Sequence, residues 1–201
     1  MQIGVPKETK DQEFRVGMIP AGVDALVKGG HVVLVQTRAG ERIGFSDADY
    51  EAAGARIVIS AQEIFACDLV VKVKELQPPE YPLLKRGQIV FAYQQLAPDP
   101  KLLDSVLQAG ISAIGYETVA DERGALPLLA PMSRIAGRMS VQIGAWALQM
   151  NNGGSGVLLP GVPGVPPAKV VVIGAGAAGS NAVQVAAGLG ADVTVFDVSI
   201  D

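Results

Sequence analysis

Short apolar runs recur along the chain and alternate with polar stretches that carry helix signals. In the first half, the runs predict six strands: Gln2–Val5, Val32–Gln36, Ala55–Ile59, Leu69–Val73, Ile89–Tyr93 and Ser112–Tyr116. Runs of this length and apolar content are typical of strands that are buried on both faces of a parallel sheet.

The segments between these strands predict helices. Their start and stop signals are Pro20 and Gly29 around one helix, the Ser46–Asp49 and Ser60–Glu63 capping boxes, and Asp99–Pro100 and Gly110 around another helix. Strands that are separated by short helices indicate βαβ units and a parallel sheet. Roughly the first 125 residues are therefore expected to form a doubly wound α/β domain of their own.

The second half predicts a longer helix, from about Ser133 to Met150, followed by a segment rich in Gly and Pro that is typical of a linker. Two further strands, Val170–Ile173 and Val193–Phe196, enclose a helix of small residues. We therefore expect an α/β fold with two doubly wound Rossmann-like domains, the second only partly present. The predicted bounds are 1–130 for the first domain, 131–152 for a connecting helix and 153–201 for the start of the second domain.

A glycine motif at the second domain's first strand predicts a dinucleotide site. Gly174-x-Gly176-x-x-Gly179 follows that strand directly and opens the helix, and Asp197 ends the next strand 18 residues after Gly179. In this order, the first glycine allows a sharp turn, the second lets a pyrophosphate approach, and the third allows close helix packing. Helix N–H groups then face the phosphates, and the carboxylate accepts hydrogen bonds from the adenosine ribose. Since that carboxylate repels a 2′-phosphate, NAD is favoured over NADP.

Composition narrows the possible partners. The formal net charge is −4 and no basic stripe is present, which argues against a nucleic-acid partner. The polar N-terminal segment does not resemble a signal peptide, and no apolar run is long enough to span a membrane. With Cys67 as the sole cysteine, no internal disulfide is possible. We therefore expect a cytoplasmic enzyme without a membrane partner.

Few residues in the sequence suit acid–base or metal chemistry. The only histidine, His31, follows a Gly-Gly helix stop at the entry to a strand, where a structural role is more typical than a catalytic one. No cluster of His, Cys and carboxylate residues has metal-ligand spacing, so no metal is expected.

Candidate chemical groups occur in early loops and at strand ends of the first domain. Arg15 follows the first strand and could bind a carboxylate through two parallel hydrogen bonds, although a solvated surface charge is the more common role at such a position. Lys74 ends an apolar strand, and Lys72 lies on the same side of that strand by period two, so the pattern does not choose between them. Gln95, beyond another strand, can form hydrogen bonds but cannot exchange protons.

Several segments resemble the alanine dehydrogenase/pyridine nucleotide transhydrogenase family. In chain order they are IGVPKETKDQEFRVGMIPAGV, VVKVKE, GYETV, LPLLAPMSRIAGRMSVQIGA, LPGVPGV and VVVIGAGAAGSNA. The resemblance covers essentially the whole chain, and the absence of long insertions makes it closer to the alanine dehydrogenases. It implies a first domain that binds substrate and a second that binds NAD.

The resemblance also implies roles for individual residues. Arg15 would hold the substrate carboxylate, and Lys74 would contact the carboxylate or carbonyl of pyruvate and stabilise charge during turnover. The residues expected to contact NAD are Ser133, Gly174, Gly176, Ala177, Ala178, Gly179 and Asp197. The implied reaction is the NAD-dependent oxidative deamination of L-alanine to pyruvate and ammonium, a step in L-alanine catabolism, and the family's habit predicts a homo-oligomer.

The sequence departs from the family pattern in two ways. Gln95 stands where the dehydrogenases have a catalytic histidine, so its catalytic role is in doubt. The family's chains are nearly twice as long, which predicts that this chain is a fragment and inactive alone. Two alternatives therefore stay open: the NAD-binding component of a proton-translocating transhydrogenase, which needs no deamination, and a non-catalytic remnant that keeps the fold.

Overall fold

The computed structural model describes residues 1–199 of the 201-residue chain. These residues form two compact units, Met1–Val119 and the part of the chain from Ala120 onward. Each unit is built from α/β elements and is described separately below.

The first unit is built on a six-stranded parallel sheet. Its strands are β1 (Gln2–Val5), β2 (Val32–Gln36), β3 (Arg56–Val58), β4 (Leu69–Val71), β5 (Ile89–Ala92) and β6 (Ser112–Gly115). Their order is β3-β2-β1-β4-β5-β6, with every pairing parallel. The predicted doubly wound sheet is thereby confirmed. The order reverses between β1 and β4, and ligands of such sheets bind beyond the carboxyl ends of strands at this point.

Helices cover both faces of this sheet. They are α1 (Pro20–Lys28), α2 (Asp47–Ala52), α3 (Ala61–Ile64) and α4 (Pro100–Ala109), with 3-10 helices at Glu41–Ile43, Pro78–Leu83 and Tyr116–Thr118. Both predicted capping boxes are confirmed, because each serine accepts a backbone N–H while the acidic side chain accepts the serine's own N–H. These reciprocal bonds explain why two helices this short form where the sequence predicted them.

The core follows from alternation along the strands. Ile3, Val5, Val33 and Val35 face one buried cluster, and Leu34, Val70 and Val90 face another. Tyr50 of α2 is fully buried in the first cluster, and Leu102 of α4 is fully buried in the second. Because both faces of the central strands are covered, these strands are apolar at nearly every position.

Among its described residues, the second unit contains two helices, two strands and a short 3-10 helix at Met150–Asn152. The elements are α5 (Ala130–Ala147), β7 (Lys169–Ile173), α6 (Ala177–Gly188) and β8 (Asp192–Phe196). β7 and β8 pair in parallel, and α5 packs closely on α6. The α5 helix begins three residues before the predicted Ser133, because Pro131 occupies its first turn, where proline is well tolerated.

A search of the described residues for membrane spans is negative, since none of their helices combines the length and the apolar character needed to cross a bilayer.

Candidate functional site

The glycine loop of the second unit has the geometry that the motif predicts. Gly174 has a φ of +94°, which strongly favours glycine. A Cβ on Gly179 would lie 1.8 Å from the carbonyl oxygen of Gly174, so this position admits no side chain. The fold itself therefore requires glycine at the first and third positions of the motif.

The middle glycine is different. Gly176 has a φ of −62° and precedes the first turn of α6, and a Cβ built there meets nothing within 4 Å. Neither backbone strain nor packing within the described chain requires glycine at this position. The space that a side chain would fill lies at the amino end of a 12-residue helix, whose first-turn N–H groups have no intrahelical partners. This arrangement leaves room for an anion such as a pyrophosphate.

Asp197 closes the loop from the end of β8. Its carboxylate accepts hydrogen bonds from the backbone N–H of Ala175 and, at 2.8 Å, from that of Ser199. These bonds, the one from Ala175 most of all, hold the pKa of Asp197 below its usual range. The side chain is therefore an ionised acceptor at neutral pH, as binding of ribose hydroxyls requires.

An open cavity of about 320 Å³ lies beside this carboxylate. It is lined by Ile173, Gly174, Phe196, Asp197 and Val198, so its walls are mostly apolar. An adenine ring next to a ribose that Asp197 binds would find such a surface. The residues present thus fit a dinucleotide. The remaining predicted contacts lie on helices of the same unit: Ala177 and Ala178 open α6, and Ser133 is half-buried in the first turns of α5.

In the first unit, Arg15 lies in the loop between β1 and α1. Its Nε and one terminal nitrogen donate to the two carboxylate oxygens of Glu13, at 2.8 and 2.6 Å. The bond from Arg15 is the main reason that the pKa of Glu13 is lowered, and the charge of Lys74 lowers it further. Arg15 and Lys74 follow the carboxyl ends of β1 and β4, respectively, and the positive charge of each lowers the pKa of Glu13.

The structure separates the two lysines that the pattern left equivalent. The side chain of Lys72 is completely buried and pairs with Glu8 and Glu80. The side chain of Lys74 is 18% exposed, with its Nζ 3.7 Å from a carboxylate oxygen of Glu75. Only Lys74 is therefore accessible to a small molecule from solvent.

Gln95 is exposed beyond the carboxyl end of β5 and has an unusual backbone conformation. Its φ is +45°, in the left-handed region that residues other than glycine seldom adopt. The backbone N–H groups of Gln94 and Gln95 both donate to one oxygen of Glu117, at 2.9 and 3.1 Å. Two hydrogen bonds to one carboxylate thus hold the strained turn that presents the Gln95 side chain.

His31 lies at the other end of the sheet. It precedes β2, and its Nδ1 is 3.5 Å from the N-terminal nitrogen of Met1. It is thus at the amino end of a strand, whereas Arg15, Lys74 and Gln95 follow the carboxyl ends of theirs. Within residues 1–199, no group of three or more His, Cys, Asp or Glu side chains could hold a metal ion.

The sequence did not identify three carboxylates that contact these residues or their neighbours: Glu8, Glu13 and Glu117. Glu8 and Glu13 belong to a run of charged residues in which no spacing distinguishes one acid from another. Glu117 follows β6, and its position after a strand's carboxyl end was the one signal available.

Comparisons with known proteins match both parts of the chain. The family model described as alanine dehydrogenase/PNT, N-terminal domain, matches residues 4–136. The model described as alanine dehydrogenase/PNT, C-terminal domain, matches residues 140–201.

Individual relatives agree with these models. An alanine dehydrogenase from Mycobacterium tuberculosis is 52% identical over 202 residues, covering 100% of this chain and 54% of the relative. Alanine dehydrogenase 2 from Staphylococcus aureus is 52% identical over 99% of this chain and 54% of its own length. The chain thus spans about half the length of the curated relatives that it matches.

Solved structures give the same result for the fold. An L-alanine dehydrogenase superposes with a TM-score of 0.91 at 51% identity, covering 100% of this chain and 55% of the other. A transhydrogenase from Sinorhizobium meliloti superposes with a TM-score of 0.80 at 28% identity, covering 100% and 60%.

Proposed function

The chain belongs to the alanine dehydrogenase/PNT family, and we propose that it carries the adenosine half of an NAD site and the carboxylate-binding part of a substrate site. The proposed reaction converts L-alanine, NAD⁺ and water to pyruvate, ammonium, NADH and a proton. The proposed organisation is a substrate domain over 1–130, a connecting helix over 131–152 and the start of an NAD-binding domain from 153.

The observation that carries the cofactor assignment is Gly176. Its Cβ position is open and lies at the amino end of α6, two residues after Gly174 in the motif, where a glycine lets a pyrophosphate approach the backbone closely. Asp197 is held ionised beside an apolar cavity, and its negative charge favours NAD over NADP. NAD held by these residues would supply a hydride acceptor for the substrate Cα.

On the substrate side, Arg15 and Lys74 supply two positive charges from segments that follow the carboxyl ends of β1 and β4. Guanidinium and ammonium groups together suit a carboxylate with an adjacent carbonyl. Arg15 binds and orients the carboxylate, and Lys74 polarises the carbonyl of pyruvate. Gln95, at the position of the family's histidine, hydrogen-bonds to the substrate but moves no proton.

One observation favours a second candidate. A transhydrogenase component transfers hydride without deamination, and Gln95 lacks the proton-transfer capacity that deamination uses. For the first candidate, the dehydrogenase, we propose a small-molecule substrate as the partner, a cytoplasmic location and assembly into a homo-oligomer. Hydride exchange with an NADP-binding partner, in the absence of alanine turnover, would favour the second candidate.

The cofactor proposal is tested with two glycine variants of α6 and its cap. Gly176→Ala is expected to weaken NAD binding at least about tenfold, or about 1.4 kcal/mol, because the new methyl group collides with the pyrophosphate. Gly188→Ala is the matched control, because its Cβ also meets nothing within 4 Å but lies at the far end of the helix. NAD binding is measured by calorimetry, together with alanine-dependent NADH formation. Equal affinities for both variants would contradict the assignment.

A further inference from the structure

A buried ionic triad includes Lys72, which is two residues before the proposed substrate-binding Lys74. The Nζ of Lys72 donates to Glu8 at 3.2 Å and to Glu80 at 2.8 Å. The three side chains are 0%, 1% and 5% exposed. Buried charges are costly unless they are paired, and no role that we have assigned to the site explains this cluster.

The triad joins three separate segments. Glu8 belongs to the loop after β1, Lys72 follows β4, and Glu80 lies in the 3-10 helix Pro78–Leu83. The second oxygen of Glu80 accepts the backbone N–H of Gln77, at 2.7 Å, and so fixes the start of that 3-10 helix. The hydroxyl of Tyr116, in the 3-10 helix after β6, donates to the carbonyl oxygen of Lys72 at 2.8 Å and holds the same segment as Glu8.

Glu8 makes a further contact that reaches the proposed site. Its Oε1 accepts the backbone N–H of Val73 at 2.6 Å and that of Lys74 at 3.4 Å. Its other oxygen pairs with Lys72. The Glu8 carboxylate therefore accepts the backbone N–H groups of both Val73 and Lys74, and Lys74 is the lysine that we assign to substrate binding.

We propose that Glu8 is a positioning residue for Lys74, and that Lys72 serves to keep the Glu8 carboxylate charged and in place. The role of Lys74 rests on the proposed function, whereas the fixing of its backbone by Glu8 does not.

The charge balance explains why a lysine is needed at position 72. Burial raises the pKa of Glu8, and the positive charge of Lys72 opposes this rise. Without Lys72, two buried carboxylates would face each other and would take up protons or separate. An ionised carboxylate accepts backbone N–H groups more strongly than a neutral acid. Lys72, which no substrate can reach, thus supports Lys74, which a substrate can reach.

The test compares Glu8→Ala with Glu8→Gln in the protein as its gene encodes it. The alanine removes both backbone contacts, whereas the glutamine keeps an oxygen acceptor for them. Glu80→Gln is the matched control, since Glu80 also pairs with Lys72 but contacts neither Val73 nor Lys74. Should Glu8→Ala fail to fold, Glu8→Asp replaces it, because a shorter side chain keeps the charge but cannot reach both Lys72 and the backbone.

The first measurement is independent of activity. Amide hydrogen exchange at Val73 and Lys74 is expected to accelerate at least about tenfold in Glu8→Ala and to change little in Glu80→Gln. In Glu8→Gln the acceleration should be smaller than in Glu8→Ala, because the neutral amide oxygen accepts the two N–H groups more weakly than the carboxylate. Exchange at Val35, a fully buried residue of β2 that pairs with strands on both sides, reports global stability. Unchanged exchange at Val73 and Lys74, or equal acceleration at all three amides, would overturn the proposal.

The second measurement is the split between KM values. Glu8→Ala should raise KM for pyruvate at least about tenfold and leave KM for NADH within about twofold, since only the lysine near the carboxylate is displaced. A parallel rise in both values would indicate general damage and overturn a positioning role. If the unaltered protein does not turn over alanine, the proposed function fails, whereas hydrogen exchange still decides the role of Glu8.

Discussion

Gln95 is the proposed site residue at which this chain departs from the family pattern. It is held at a φ of +45°, and histidine is several-fold enriched among the residues that adopt this region. We therefore expect Gln95→His to fold normally. Because a histidine there could exchange a proton with the substrate, alanine oxidation should rise by about 10²–10⁴-fold, measured as NADH formation in saturating alanine.

Gln12→His is the control for that experiment. Gln12 is also exposed and also has a positive φ, 57°, but it lies in the loop after β1 rather than beyond β5. This change should leave the rate unaltered. If both variants behave alike, Gln95 does not occupy the proton-transfer position.

The lysine pair shows how far residue-level prediction extends. Period two placed Lys72 and Lys74 on the same side of a strand, but both lie beyond the end of β4 at Val71, and only Lys72 is completely buried. The distinction between them depends on Glu8 and Glu80, 64 and 8 residues from Lys72. No local pattern contains such partners, so the assignment of Lys72 to a buried triad required the structure.

At the scale of elements, the crossing of α5 and α6 depends on one glycine. A Cβ on Gly137 would lie 2.0 Å from the carbonyl oxygen of Ala178. Gly137→Ala should therefore destabilise the second unit by about 1–3 kcal/mol, because the two helices must separate. The measurement is the free energy of unfolding in urea.

Gly144→Ala is the matched control on the same helix. Its Cβ meets nothing within 4 Å, so only helix propensity changes, and the variant should be stabilised by about 0.5–1 kcal/mol. Destabilisation of both variants by similar amounts would contradict the assigned contact.

The capping box of α2 predicts a pH dependence. A hydrogen bond from the Ser46 hydroxyl is the main reason that the pKa of Asp49 is lowered. Because the folded state favours the ionised form, the stabilisation is complete above the ordinary aspartate pKa, about 3.9, and is lost as pH falls through the lower folded value. Asp49→Asn cannot titrate, so its Tm should fall less between about pH 5 and pH 2. Circular dichroism would measure Tm at each pH. An equal fall in Tm for Asp49→Asn and the unaltered protein would disprove the prediction.

Elements were predicted well where their signals are local. The capping boxes, the proline and glycine ends and the apolar runs all occur within a few residues of the structure that they specify. The strand β4 ends at Val71 rather than the predicted Val73, and beyond this end the Val73 N–H donates to the Glu8 side chain. The 3-10 helix at Pro78–Leu83 likewise depends on Glu80, and the position of Glu80 depends on its ion pair with Lys72.

At the scale of the whole molecule, the two units differ in how completely their sheets are covered. In the first, clusters of buried side chains lie on both faces of the sheet. In the second, α6 packs on one face of β7 and β8, where Val170 and Val193 lie. The register places Ile173 beside Phe196 on the other face, and these side chains are 88% and 58% exposed.

An exposed apolar strand face of this kind promotes association. We expect the 201-residue chain to self-associate at micromolar concentration, and Val171→Lys, at a 60% exposed position of the same face, to reduce light scattering several-fold because the added charge repels a second sheet. Ile59→Lys makes a comparable change at an isolated, 82% exposed residue of the first unit and should have no such effect. An unaltered chain that stays monomeric at these concentrations, or equal effects of the two variants, would show that this face does not drive association.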